Sequence, residues 1–330
     1  MRVLIVKTSS MGDVLHTLPA LTDAMEALPS IRFDWVVEEA FAQIPAWHPA
    51  VRQVIPVALR RWRKQWFSAA IREERRHFRE RLRETKYDAV IDAQGLIKSA
   101  ALVTRLAKGR KHGLDKHSAR EPLASWWYQQ RHTVGKQQHA VQRVRELFAK
   151  SLGYPLPASP GDYAIAGHFL AHPPADTGKY LVFLHATTRD AKHWPEAHWR
   201  TLIDLLKESG LQIKLPWGAP HEEERAKRLA AGFSFVEVLP AMTLAEIAQQ
   251  LAGARAIVSV DTGLSHLAAA LARPNITLYG PTDPGLIGGY GAQQYVLKPS
   301  HSHSMADITP EDVLSRLSPL ISSPVANTPR

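Results

Sequence analysis

The 330-residue chain contains no cysteine, so it has no disulfide bonds, no thiol catalysis and no cysteine metal sites. This absence fits a cytosolic protein. No apolar run approaches the roughly 18 residues of a membrane-spanning helix. The sixteen histidines show no metal-ligand spacing. There is neither a Gly-x-Gly-x-x-Gly turn after a strand nor a Walker loop, which argues against a dinucleotide-dependent redox fold and a P-loop protein.

What the chain does contain is typical of an α/β protein. Hydrophobic residues make up 45% and charged residues 22%, as in a soluble globular protein, and the length favours two domains. Apolar runs alternate with helical patterns in both halves, which predicts parallel sheets. The Pro- and Gly-rich segment 153–161 is the best candidate linker. The predicted strands lie near 2–7, 32–38, 53–57, 87–93, 180–186, 211–215, 235–239, 256–261 and 275–279.

The net charge of +10 is unevenly distributed. Residues 1–150 contain 27 Lys and Arg against 15 Asp and Glu, which gives +12. Residues 151–330 contain 14 against 16, which gives −2. Such asymmetry indicates that the first half meets a polyanion: a nucleic acid, an anionic membrane face or a phosphorylated substrate.

The strongest concentration of positive charge lies between Arg60 and Lys86, where 11 Lys and Arg face 4 acidic residues. The pattern predicts one long basic helix running to about Thr85. Trp62 and Trp66 are one helical turn apart, and indoles beside cations suit a membrane interface. The alternative is a solvated charged face with the tryptophans packed into the core.

The most informative segment runs from Ser259 to Ala270. A buried strand ends at Val260, Asp-Thr-Gly turns the chain, and a helix follows. Backbone N–H groups and the positive end of the helix dipole would then face an anion such as a phosphate. The alternative is an ordinary strand-to-helix corner in which Asp261 caps the helix.

A second corner of this kind begins the chain. The short apolar strand Met1 to Lys7 leads through the polar loop Thr8 to Asp13 into a helix that opens near Val14. Asp13 either caps this helix or presents a carboxylate to the crevice in which open α/β sheets bind ligands.

A third corner follows the strand near 180–186. Thr187, Thr188 and Lys192 could clamp a diphosphate through hydroxyl and ammonium groups, or could be a solvated loop with threonine caps. Glu222 could accept hydrogen bonds from ribose hydroxyls, or could be the charged start of a helix.

Together these segments closely resemble the lipopolysaccharide heptosyltransferase I family, which belongs to glycosyltransferase family 9. The resemblance covers about residues 1–290. The segments that carry it are Lys7-Thr8-Ser9-Ser10-Met11-Gly12-Asp13, His185-Ala186-Thr187-Thr188, Lys192-His193-Trp194-Pro195, Trp217-Gly218, Asp261-Thr262-Gly263-Leu264-Ser265-His266 and Tyr279-Gly280-Pro281-Thr282.

This resemblance implies a GT-B fold, with two Rossmann-like doubly wound domains and a cleft between them. Residues 1–155 would bind the acceptor, Kdo2-lipid A, and residues 162–305 would bind ADP-heptose. A C-terminal helix, about 308–322, would join the first domain.

The resemblance also implies residue roles. Asp13 would be the general base, and Lys192 would stabilise the leaving diphosphate. The donor would be bound by Thr187, Thr188, Lys192, Glu222, Met242, Asp261, Thr262, Gly263 and His266. The acceptor would be bound by Lys7, Ser10, Arg60, Arg61, Arg63, Lys64, Lys98 and Arg120.

The implied reaction is transfer of L-glycero-D-manno-heptose from ADP-heptose to Kdo, with inversion and with no metal or other cofactor. The enzyme would be a peripheral protein on the cytoplasmic face of the inner membrane, meeting an anionic membrane surface and no nucleic acid. The alternatives are a type II heptosyltransferase with a heptose acceptor, or a nonenzymatic protein that binds a nucleotide sugar or a nucleic acid.

Overall fold

The computed structural model describes residues 1–299 and 302–322. The chain forms two compact units, Met1–Ala164 and Ile165–Arg330. Each unit contains one six-stranded sheet in which every strand pair is parallel. This confirms the predicted α/β class with two doubly wound domains.

The sheet of the first unit has the strand order β3-β2-β1-β4-β5-β6. Its strands are β1 (Arg2–Val6), β2 (Arg32–Glu38), β3 (Val51–Val57), β4 (Lys86–Asp92), β5 (Lys108–Leu114) and β6 (Gln130–His132). Its helices are α1 (Met11–Leu15), α2 (Leu18–Ala27), α3 (Gln43–Ala46), α4 (Leu59–Lys64), α5 (Ala69–Glu84), α6 (Ile97–Leu102) and α7 (Ala140–Leu152).

The sheet of the second unit has the order β12-β11-β10-β7-β8-β9. Read from its other edge, this is the same arrangement as in the first unit. Its strands are β7 (Tyr180–Leu184), β8 (Gln212–Leu215), β9 (Val236–Val238), β10 (Ala256–Val260), β11 (Asn275–Leu278) and β12 (Gln294–Leu297). Its helices are α8 (Ala166–Leu170), α9 (Glu196–Leu205), α10 (Pro220–Ala230), α11 (Leu244–Gly253), α12 (Gly263–Ala270), α13 (Pro284–Ile287) and α14 (Pro310–Ser322).

The central strands are buried on both faces, which is why their sequences read as continuous apolar runs. β7 and β10 are buried at every position, and β1 is buried from Val3 to Val6. In each sheet the strand order reverses between the first and fourth strands, β1 and β4 or β7 and β10. Ligands of open α/β sheets bind beyond the carboxyl ends of the strands at such a switch point.

The C-terminal helix α14 packs in the second unit. Val313 and Leu317 are fully buried in the core that also contains Trp194, Trp199 and Ile276. The prediction that this helix joins the first domain is therefore wrong. Its apolar stripe has a matching surface on α9, β10 and β11.

The Pro- and Gly-rich segment 153–161 lies on the first unit, so the predicted linker is wrong in detail. The Ser159 carbonyl oxygen accepts a hydrogen bond from Arg145 at 2.9 Å, and the Tyr154 hydroxyl donates to the Ala20 carbonyl oxygen. Contacts with α2 and α7 hold this segment, and the units divide after Ala164.

The predicted long basic helix is two helices, α4 and α5, separated by residues 65–68. The buried Glu38 carboxylate accepts the backbone N–H groups of Leu59 and Arg60 at the start of α4. Ser68 is the N-cap residue of α5. Among the described residues, no helix is both long and apolar enough to cross a membrane.

Candidate active site

The switch point of the first sheet presents Asp13. This residue lies in the first turn of α1, directly after the loop that follows β1. Its Oδ2 atom accepts the Ser10 backbone N–H at 2.9 Å and the Ser10 hydroxyl at 3.0 Å. The side chain keeps 45% of its surface exposed. Asp13 therefore supports the start of α1, which confirms the capping interpretation, and its carboxylate is partly exposed at the switch point.

Lys7 supplies a positive charge beside this carboxylate. Its Nζ atom is 3.8 Å from Asp13 Oδ1 and donates to the Ala93 carbonyl oxygen at 3.1 Å. Lys7 is almost buried. Lys7 thus links the end of β1 to the end of β4 and lies against Asp13. It does not lie on an exposed surface that an acceptor could cover.

Gln94 is a residue that the sequence interpretation missed. It follows β4, and its Oε1 atom accepts the backbone N–H groups of Thr8 at 2.9 Å and Ser9 at 3.2 Å. One side-chain oxygen thus fixes the backbone of the loop that leads to Asp13. Its partners are 85 and 86 positions away in the sequence, so no local motif signals this role.

Asp92 in turn fixes the loop that carries Gln94. Its fully buried carboxylate accepts the N–H groups of Gln94 and Gly95 and the hydroxyls of Ser99 and Thr104. Burial raises the pKa of Asp92, and these hydrogen bonds oppose that shift.

The switch point of the second sheet joins the loop after β7 to the turn after β10. Lys192 Nζ donates to Asp261 Oδ2 at 2.5 Å, and both side chains are mostly buried. The Thr187 hydroxyl donates to the Asp261 carbonyl oxygen at 3.1 Å. The N-cap residue of α12 is Thr262. The interpretation of Asp261 as the helix cap is therefore wrong, because its carboxylate holds Lys192 instead.

The neighbourhood of Lys192 also contains neutral imidazoles. The Thr187 N–H points at His193 Nε2, 3.3 Å away. Burial lowers the pKa of His193, and it lowers that of the fully buried His185 to about 3. The cationic side chains of this loop are therefore Lys192 and the exposed Arg189, rather than the imidazoles. Thr188 is exposed on the same loop, and His266 is buried one turn into α12.

Glu222 acts first as a helix cap. Its Oε2 atom accepts the N–H groups of Gly218 at 2.7 Å and Ala219 at 3.1 Å, directly after β8. The plain interpretation of a charged helix start thus describes its contacts. Met242 lies half-buried in the loop after β9. Beside these loops, the Trp217 indole donates to the Leu239 carbonyl oxygen at 2.7 Å.

The predicted acceptor-binding cations differ in their surroundings. The guanidinium of Arg61 pairs with Glu39 and Glu74, which raises its pKa. Arg60 lies 5.9 Å from the centre of the Phe41 ring. The other four are exposed: Arg63, Lys64, Lys98 and Arg120. Of these, Lys98 lies at the start of α6, close to the switch point.

Trp62 and Trp66 do not share an exposed face. Trp62 is buried, donates its indole N–H to Glu74 at 2.8 Å and packs against Phe78. Trp66 is 36% exposed. The membrane-interface interpretation is therefore wrong for Trp62, which is a core residue.

Over the described ranges, no group of three His, Asp or Glu side chains is arranged to hold a metal ion.

The chain is similar to known proteins over most of its length. The family model of glycosyltransferase family 9 (heptosyltransferase) matches residues 75–317. The lipopolysaccharide heptosyltransferase 1 of Escherichia coli K12 is 69% identical over 320 residues, which cover 97% of this chain and 100% of that protein. The E. coli heptosyltransferase WaaC, solved with ADP-2-deoxy-2-fluoro heptose, is 67% identical with a TM-score of 0.93; the match covers 97% of this chain and 99% of that one.

Type II enzymes match less of the chain in sequence and are less similar in structure, where E. coli heptosyltransferase II covers 97% of this chain with 24% identity and a TM-score of 0.76. The lipopolysaccharide heptosyltransferase 2 of E. coli K12 is 32% identical over 151 residues, or 40% of this chain and 43% of that protein. The type II alternative is therefore not favoured.

Proposed function

This chain belongs to glycosyltransferase family 9, the heptosyltransferases, and from that premise we propose that it transfers L-glycero-D-manno-heptose from ADP-heptose to the Kdo sugar of Kdo2-lipid A. The chain is a glycosyltransferase of the lipopolysaccharide inner core. The acceptor, the stereochemistry and the residue roles are our proposals. They depend above all on one observation: the half-exposed Asp13 carboxylate at the switch point of the first sheet.

Donor binding is assigned to the second unit. The N-terminus of α12 directs backbone N–H groups beyond the strands, where a diphosphate gains from both hydrogen bonds and the helix dipole. The Lys192 ammonium has three N–H donors and gives one to Asp261. The other two would serve the diphosphate, and the Thr187 hydroxyl lies beside them.

The remaining donor residues are assigned by position. Asp261 is an anion, so it would accept hydrogen bonds from sugar hydroxyls while it orients Lys192. His266, one turn into α12, would lie near the diphosphate and the sugar. Glu222 and Met242 follow β8 and β9, where the nucleoside would bind, and Thr188 would supply a hydroxyl from the loop after β7.

The transfer step is assigned to Asp13. Its carboxylate would take the proton of the attacking Kdo hydroxyl, and positioning within hydrogen-bond reach gives a carboxylate its efficiency as a base. The hydroxyl oxygen would form a bond to the anomeric carbon from the face opposite ADP. The bond to the β-phosphate oxygen would break, its electron pair leaving with ADP. Lys192 and the α12 N–H groups would stabilise that charge.

The acidic acceptor accounts for the charge asymmetry. Kdo carboxylates and lipid A phosphates are anions, and the first half of the chain carries +12. Arg60, Arg63 and Lys64 at α4, Lys98 on α6, and Arg120 would contact these groups. Arg61 would contact them only if its ion pair with Glu39 or with Glu74 broke. A lipid acceptor also places the enzyme on an anionic membrane surface, which we assign to the cytoplasmic face.

The test is release of ADP from ADP-heptose, measured with and without Kdo2-lipid A. The variant Asp13→Asn keeps the shape of the side chain and removes the base. We expect its kcat to fall by about 10²–10⁴-fold, with ADP-heptose binding unchanged. The control is Asp204→Asn, which alters an exposed carboxylate on α9. Release that needs no acceptor, or an unaltered kcat in Asp13→Asn, would overturn this mechanism.

A further inference from the structure

Between α4 and α5 the chain exposes two aromatic side chains. Phe67 is 91% exposed and Trp66 is 36% exposed. We call residues 65–68 the aromatic tip. The neighbouring Trp62 is buried. Trp62 is thus anchored in the core, whereas the rings of Trp66 and Phe67 are exposed. Packing inside the unit does not explain why Phe67 is an aromatic residue.

An apolar groove adjoins the tip. Trp66 lines it together with Leu59, Phe78, Ala101, Leu102 and Leu106. Leu102 on α6 is itself 39% exposed. The tip and the groove form one exposed apolar surface, which a hydrocarbon phase would cover favourably.

The surroundings of this surface are strongly basic. Arg75, Arg79 and Arg105 line the groove, and the Arg75 guanidinium stacks 3.3 Å from the centre of the Trp66 ring. Arg63 and Lys64, at the end of α4, are exposed just before the tip.

The acidic residues nearby leave this charge uncompensated. Glu39 and Glu74 pair with Arg61, while Glu73 and Glu80 pair with Arg76. In the described part of the chain, Arg63, Lys64 and Arg105 pair with no carboxylate. The aromatic tip is thus surrounded by cations that remain available to an anionic partner.

We propose that the aromatic tip and its groove dock the enzyme onto an anionic phospholipid bilayer, with Phe67 and Trp66 inserted at the level of the headgroups. Aromatic side chains partition to that level, and nearby Lys and Arg add electrostatic attraction. The Leu and Ala side chains of the groove favour lipid over a nucleic acid, because they suit acyl chains. The exposed rings of Phe67 and Trp66 also offer bases a stacking surface, so oligonucleotide binding is part of the test. The inference rests on the proposed function, whose acceptor is embedded in lipid, and names the surface that would reach it.

Vesicle binding by the full-length enzyme tests this proposal. The probes are vesicles of phosphatidylglycerol and phosphatidylethanolamine, with pure phosphatidylcholine vesicles for comparison. We expect the wild type to prefer the anionic vesicles. Phe67→Ser should bind them about tenfold more weakly, and Phe67→Leu should retain most of the affinity. The control is Leu156→Ser, which changes an exposed apolar residue elsewhere in the first unit.

Equal binding of the wild type and Phe67→Ser, or no wild-type binding to anionic vesicles, would overturn the proposal. So would an equal loss of affinity for a single-stranded oligonucleotide in Phe67→Ser, which would indicate a nucleic-acid surface. The ratio of activity on vesicle-embedded acceptor to activity on its water-soluble deacylated form should fall in Phe67→Ser. A wild type that binds vesicles but transfers no heptose to either acceptor would contradict the proposed function and leave the docking surface supported.

Discussion

Gln94 connects the two central strands of the first sheet through a single side-chain oxygen. This oxygen accepts the N–H groups of Thr8 and Ser9. The buried Asp92 carboxylate in turn accepts the backbone N–H of Gln94. Three successive layers therefore position the Asp13 carboxylate: a buried acid, an amide and a backbone loop. Supporting layers of this kind keep a catalytic group at its productive geometry.

We predict that Gln94→Ala lowers kcat about tenfold without changing the KM for ADP-heptose. The substitution leaves two backbone N–H groups without their acceptor, which costs about 1–3 kcal/mol and loosens the loop before Asp13. Gln94→Glu should restore most of the activity, because a carboxylate oxygen accepts the same two bonds. Steady-state kinetics of these variants and of the control Gln53→Ala, on the edge strand β3, measure the effect.

A fall in activity that Gln94→Glu fails to restore, or an equal rise in the KM for ADP-heptose, would contradict a positioning role. The sequence could not reveal this role. Asp13 belongs to a recognisable strand–loop–helix corner, whereas Gln94 acquires its function only when β4 pairs with β1.

Among the helices and strands, those with a continuous apolar run could be predicted from the sequence. The central strands β1, β4, β7 and β10 all appear as such runs, since both faces of each are covered. The missed strands lack this signal. β5 has the sequence KGRKHGL and is only partly buried, β6 has three residues, and β12 is an edge strand. Pairing with neighbouring strands, rather than intrinsic preference, makes β5 and β6 extended. β12 has the strand-forming residues Tyr295 and Val296, but at four residues it is too short to stand out as an apolar run.

The division of the basic helix into α4 and α5 depends on a distant contact. Glu38, at the end of β2, caps α4 from 21 and 22 positions away. The spacing of Arg and Trp residues suits a helix on both sides of residues 65–68, so periodicity alone predicts one continuous helix. The interruption between α4 and α5 forms the aromatic tip. The prediction of one continuous helix is therefore wrong at the segment that we propose docks to the membrane.

The packing of α14 leads to a prediction about the stability of the second unit. Leu317 is fully buried in the core of the second unit, so Leu317→Ala removes apolar contacts and leaves a cavity. We expect a loss of about 3 kcal/mol in the free energy of unfolding. Thermal or denaturant unfolding measures it.

Ser315→Ala on the same helix provides the control, because Ser315 is exposed and its change should stay within about 0.5 kcal/mol. The indole of Trp194, two residues after Lys192, donates to the Ile308 carbonyl oxygen just before α14. We therefore also expect Leu317→Ala to weaken ADP binding. Equal stabilities of Leu317→Ala and Ser315→Ala would show that α14 does not support the core of the second unit.

On the scale of the whole molecule, the sequence predicted the two doubly wound units and the split of charge between them. It placed the candidate residues at the switch points because each follows a strand that is recognisable in the sequence. It did not predict which cations are already paired. Arg61 and Arg63 are equivalent in sequence, yet only Arg61 meets two carboxylates, one of them from beyond β2.

Buried histidines in both units should make the stability of the protein depend on pH. Burial lowers the pKa of His48 and His112 to about 4 in the first unit and that of His185 to about 3 in the second. In the unfolded chain each would titrate near its usual value of about 6.5. Below that pH the unfolded state binds more protons than the folded state, so stability falls as the pH drops from 6.5 towards 4.

Each such histidine costs up to about 1.4 kcal/mol per pH unit in this range, so the loss between pH 6.5 and 5 should reach several kcal/mol. Calorimetric unfolding at pH 7 and 5 in buffers of different ionisation enthalpy measures both the stability and the protons bound on unfolding. We expect little uptake at pH 7 and about three protons at pH 5. Carboxylates with a lowered pKa, such as Asp115 with a value of about 2, reduce the stability further, mainly below pH 5. A free energy of unfolding that stays constant from pH 7 to 5 would therefore mean that these imidazoles are not buried in their neutral form.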